Sequence, residues 1–143
     1  MLRPIRNFSL VSAIFAICGL VACSTIATFD QAAYDKATGA KAEALALMDK
    51  ATGSFNSHLT EIEAVSLTID KAYEYDRGRL QNSITVQQWE VLRDPNKNLF
   101  GGFIRRWREK GSLKPDYITE KKKDIADAFD QITGLEIGKP KNH

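Results

Sequence analysis

The sequence predicts an all-α protein, in which a long antiparallel two-helix hairpin, two short helices and a long C-terminal helix form a small bundle. Three observations carry this. Apolar residues recur at alternating steps of three and four over two long stretches, which is the repeat of a single helix face. Glycine, proline and polar clusters punctuate the chain and leave helix-length segments between them. Nowhere does an apolar and polar alternation run far enough to build a sheet.

The first element spans 30–52, where Ala33, Ala37, Ala40, Ala44, Leu47 and Ala51 form a seam of small residues. After the break Thr52-Gly53-Ser54 a second seam runs Ile62, Val65, Ile69 and Ala72, thickened by Leu59 and Tyr73 and stopped at Gly78. A short connection forces the two helices to lie antiparallel, with branched side chains filling the groove that the alanines leave. Thr85 and Gln88 then read as a capping box opening a short helix that carries Trp89 and Leu92. Asp94-Pro95-Asn96 interrupts it, and a second short segment, 98–110, ends at Gly111. Pro115 suits the first position of the last helix, whose stripe is Ile118, Ile125, Phe129 and Ile132 and whose stop is Gly134. Residues 135–143, with Gly138 and Pro140, read as a flexible tail.

Ahead of these elements, Arg3 and Arg6 precede an apolar run at 8–19 that is too short to span a membrane comfortably. Leu20-Val21-Ala22-Cys23 closes it. This arrangement resembles the lipobox of bacterial lipoproteins, over the first two dozen residues only, and the rest of the chain is similar to small helical lipoproteins of unassigned function. The resemblance implies that residues 1–22 are a signal peptide and that Cys23 becomes the acylated, palmitate-bearing N-terminus. It also implies an anchor in the lipid bilayer of the cell envelope. Ser24, in place of Asp, implies the outer membrane facing the periplasm where the host has two membranes. The alternative is an ordinary secreted chain cleaved nearby with a spare thiol. On the lipoprotein reading 23–29 is a tether, 30–134 the helical domain, and the tether reaches at most roughly 20 to 25 Å.

Losing Arg3 and Arg6 lowers the 20 basic residues to 18, equal to the 18 acidic ones. A chain so balanced has no global field for nucleic acid, and nucleic acid is not an expected partner. Cys18 goes with the signal, which leaves Cys23 alone and removes disulfides, thiolate metal sites and cysteine nucleophiles from the domain.

The segment 98–110 is the most unusual in the domain. Phe100, Phe103, Ile104 and Trp107 share one helical face, while Arg105, Arg108 and Glu109 point away and Arg106 and Lys110 flank. Two readings stand. It is a core helix with a charged back, or it is an anion or partner site in which Arg105, Arg106 and Arg108 act beside Trp107 and Gly101-Gly102 leaves backbone amides open. Lipid phosphate or an acidic partner surface is the expected anion.

Elsewhere the chemistry is sparse. Glu61, Glu63, Asp70, Glu74 and Asp76 read as a solvated acidic side of the second helix. His58 and His143 have no neighbours at metal-ligand spacing, so neither metal nor cofactor is expected. Ser54, Ser57 and Ser66 lie in no hydrolase motif. Leu67 and Tyr75 fall off the main seam, against later helices or in an exposed patch. These features point to a non-enzymatic interaction or structural module with an envelope protein as partner. An inhibitor or phage-exclusion lipoprotein is the alternative, and an envelope enzyme with an unrecognised pocket is a further one.

Overall fold

The computed structural model describes residues 26–141, and among them there is helix, turn and loop but no strand. Helix α1 is Gln31–Met48. Asp30 caps it, its carboxylate accepting the Ala33 N–H at 3.0 Å. The predicted alanine seam is buried along its whole length. Two 3-10 turns, Asp49–Thr52 and Phe55–His58, lead into α2, Leu59–Arg77. Lys50 pairs with Glu61 at one end of this hairpin, and the Tyr75 hydroxyl donates to Asp30 at 2.8 Å at the other, so the two helices are antiparallel.

Helices α3, Ser83–Arg93, α4, Phe100–Lys110, and α5, Pro115–Ile137, complete the chain. Arg93 at the end of α3 pairs with Asp70 of α2 at 2.9 Å, whereas Asn82 just before α3 bonds Asp76 near the end of α2. Lys122 early in α5 meets Asp49, and Glu136 late in α5 meets the Asp30 N–H. Each of α1, α2, α3 and α5 therefore runs opposite to the neighbours it touches, which makes an up-down-up-down bundle. Its centre holds Met48, Ile69, Trp89, Leu92, Ile125, Phe129 and Ile132, with Trp89 edge-on to Phe129 at 5.9 Å. No helix among the described residues is long and apolar enough to cross a membrane.

The bundle has two poles. At the distal pole α4 packs beside the Phe55–His58 turn, and Leu113 N–H and Phe55 N–H bond the carbonyls of Ala51 and Gly111. Gly111 holds a φ of 76°, a conformation that a side chain would strain. At the proximal pole residues 26–30 meet the end of α2, the start of α3 and the end of α5. Ala27 N–H bonds the Gln81 carbonyl at 2.9 Å and Phe29 N–H bonds Pro140 at 2.8 Å.

Several expectations change. Gly134 does not stop α5, which continues to Ile137 and is capped at Gly138. A single helical glycine costs only about 1 kcal/mol, which the burial of Ile132, Thr133 and Glu136 around it outweighs. Residues 135–141 are accordingly packed rather than a loose tail, since Lys139 is buried and Pro140 is hydrogen-bonded. Thr85 is no cap: α3 begins two residues earlier, and Thr85 is buried inside its first turn. Leu59 is largely exposed, because Phe55 takes the core position at that end of the hairpin. Cys23, residues 1–22 expected as a signal peptide, and His143 lie outside the described residues.

Candidate functional site

Helix α4 divides its side chains as the pattern predicts. Phe100, Phe103, Ile104 and Trp107 are buried, and Arg105, Arg106, Arg108, Glu109 and Lys110 are exposed. The core reading of the apolar face is therefore the right one, and Trp107 is corrected from ligand contact to structural pivot. It is fully buried, donates Nε1–H to the Gly53 carbonyl at 3.0 Å and stands edge-on to Phe55. Gly101 and Gly102 do not form an open anion cradle either. A Cβ on Gly101 would fall 2.2 Å from the Arg93 carbonyl oxygen, and one on Gly102 would fall 1.8 Å from that of Lys97. These glycines exist so that the turn after α3 can lie directly on α4.

That close turn builds the site. It brings Arg93 and Pro95 beside Arg105 and Arg108 around an open groove of about 400 Å³, floored by Ile69, Phe100 and Ile104. Three guanidiniums face one carboxylate, Asp70, which Arg93 already engages while lying 4.2 Å over the Tyr73 ring. Arg105 spans 3.8 Å to Glu109 and is half exposed, and Arg108 stands 5.4 Å over the Phe55 ring. Arg106 turns to the other side, 4.5 Å over Tyr117, where with Lys97 and Arg105 it borders a second recess of about 140 Å³. Arg105, Arg106 and Arg108 thus form a ridge between two recesses rather than one clamp. Planar guanidiniums stacked on rings are held in place and keep their edges free for carboxylate or phosphate oxygens.

Arg93 belongs to this site and sequence reasoning missed it. It lies 12 positions before Arg105, on another helix, and only the tight Asp94-Pro95 reversal hinted that the two could meet.

His58 lies apart from both recesses. Its ring centroid is 5.6 Å from Trp107, and its buried Nδ1 is a long 3.5 Å from Glu61 Oε1. No group of three or more histidine, cysteine or carboxylate side chains stands together to hold a metal among the described residues. Leu67 is exposed on the flank of α2.

A second charged cluster lies at the proximal pole, buried. Glu136 accepts from Arg79 Nη1 at 2.8 Å, from the Asp30 N–H at 2.7 Å and from Lys139. Asp76, expected on a solvated surface, is instead enclosed by Arg79 and Asn82 at 2.9 Å and by the Trp89 indole N–H at 2.7 Å. Lys139 closes the loop on Asn82 at 2.6 Å. Burial alone would raise the Glu136 pKa, but hydrogen bonds from Arg79, Lys139 and the Asp30 backbone outweigh it and hold the carboxyl below its ordinary range. Burial of Arg79 is likewise overcome by Glu136 and Asp76, which keep the guanidinium charged. Every charge here is answered internally, so the cluster locks four segments together and leaves the groove beside α4 as the candidate binding site. No protein-family model matches the chain, and neither do curated proteins or solved structures.

Proposed function

We propose that the protein is a lipoprotein of the cell envelope, anchored by acylated Cys23, whose helical domain is a non-enzymatic interaction module. Its Arg93, Arg105 and Arg108 groove receives an acidic segment of an envelope partner. The observation that carries this reading is where the groove lies. The chain enters the fold at Ile26, on the proximal pole, whereas the groove begins at Ser66, Ile69 and Asp70, halfway along the 19-residue α2 of about 28 Å, and extends through Arg105 to Arg108 beside Phe55 toward the distal pole. An anion bound there belongs to something beyond the membrane surface, which favours a partner protein over lipid phosphate. An apolar floor under guanidiniums suits a peptide that carries carboxylates beside an apolar residue. In a host with two membranes, the Ser24 resemblance favours the outer membrane facing the periplasm.

Crosslinked purification from native membranes tests both parts. Wild type takes palmitate label and Cys23→Ser does not. The triple variant Arg105→Ala, Arg106→Ala, Arg108→Ala stays labelled and folded, losing about 1 kcal/mol of ring stacking, while its crosslinked partner disappears. A partner retained by the folded triple variant removes the groove from the proposal, and an unlabelled wild type removes the anchor.

A further inference from the structure

We infer that the proximal pole is seated in the bilayer interface, with Leu80 and Ile84 inserted among the headgroups and upper acyl chains. This rests on the lipid-anchor reading and adds to it an orientation. Leu80, at the tip of the turn between α2 and α3, is 87% exposed, Ile84 in the first turn of α3 is 56% exposed, and Ile137 at the end of α5 is 57% exposed. All three lie at one end of the molecule. Ile26, less exposed, lies at the same end, and the remaining exposed large apolar residues among those described, Leu59, Leu67 and Val91, lie on α2 and α3 away from these termini.

The occupant follows from the chain that leads into this pole. Ile26 and Ile84 line one small recess, and Ala27 is fastened to Gln81, next to Leu80, at 2.9 Å. From Cys23 to Ile26 there are three steps of chain, at most about 10 Å when fully extended. A lipid on Cys23 therefore holds Leu80 and Ile84 against the membrane whatever the tether does. The pole also suits that surface. Its carboxylates Asp76 and Glu136 are buried against Arg79 and Lys139, Asp30 is part-buried against Tyr75, and exposed Glu74 is paired with Arg77, which leaves Lys141 exposed toward anionic headgroups. Two acyl chains already give stable anchoring, so the apolar pole contributes direction, and it points the arginine groove away from the bilayer.

The test uses the full acylated chain in phosphatidylethanolamine and phosphatidylglycerol vesicles whose acyl chains are dibrominated. Leu80→Trp is compared with Lys110→Trp on the distal helix, and Ile84→Trp is a second reporter. The native Trp89 and Trp107 are fully buried and supply a constant background. Emission from Leu80→Trp should shift to the blue and be quenched on the order of twofold more than that from Lys110→Trp. Equal quenching with the protein still floating with vesicles overturns the orientation and spares the anchor. Failure to float overturns the anchor reading and the orientation with it. A blue shift without vesicles, together with chain-to-chain crosslinks, assigns the pole to a second copy and overturns the proposal.

Discussion

Glu136 illustrates how much a single side chain does in this molecule. It joins the chain entering the fold, the turn after α2 and the segment after α5 through Asp30, Arg79 and Lys139. Its pKa is lowered in the folded state, so its contribution to stability is complete above the ordinary carboxylate value of 4.5 and is lost as pH falls through the depressed value. Asp30 acts in the same direction, because the Tyr75 hydroxyl, the Ala33 N–H and Arg79 outweigh its burial. Glu136→Gln should cost about 3 kcal/mol at neutral pH, since it leaves Lys139 buried without a counter-charge and Arg79 with Asp76 as its remaining buried partner. In urea melts between pH 7 and 3 the gap to wild type should narrow toward acid, and a constant gap would contradict this role. None of this was legible in the sequence. Asp76 and Glu136 look like any surface acid on a helix, and their burial depends on contacts between segments, Trp89 on Asp76, Arg79 and the Asp30 N–H on Glu136, and Lys139 on Asn82.

At the scale of the element the sequence is far more informative, because a helix buries one face and the period of that face is written locally. The seams of α1, α2 and α5 are buried nearly residue for residue, with Leu59 the exception. Ala44 is fully buried where α1 meets its neighbours, and Ala42, two residues before it and so on the opposite face, is exposed. Ala44→Leu should therefore lower stability by about 1 to 3 kcal/mol through overpacking, while Ala42→Leu leaves the melting temperature nearly unchanged. Equal melting temperatures would remove the close seam. Helix ends are less legible in the sequence, since caps compete with tertiary demands. The Asn82 side chain is spent on Asp76 and Lys139, and Gly134 is carried through by the packing on either side of it.

The whole molecule is polarised. One end takes in the chain and carries exposed leucine and isoleucine, and the other carries α4 with its arginines. Four segments are stitched at the entry end by Ala27, Phe29 and the buried charges. Inserting a flexible stretch of about ten Gly and Ser residues before Ile26 should leave the melting temperature unchanged while loosening the proposed hold of the membrane on the proximal pole. Weaker quenching of Leu80→Trp in that variant would report the second effect. A lower melting temperature would show that the entry segment depends on its upstream chain.

By itself the sequence determined the helical class, the hairpin, the apolar face of α4 and the lipobox-like segment around Cys23. Each of these is a local pattern, set by helical period, by chain-breaking residues or by contiguous motif. Tertiary structure alone decided that Trp107 is core, that Gly101 and Gly102 serve a close backbone passage, that Arg93 joins Arg105 and Arg108, and that α4 ends at the pole opposite the one at which Ala27 and Phe29 are bonded. Those facts depend on which helix lies beside which and at which end. Helical periodicity says which face of an element is buried, and it is silent about the neighbour that buries it.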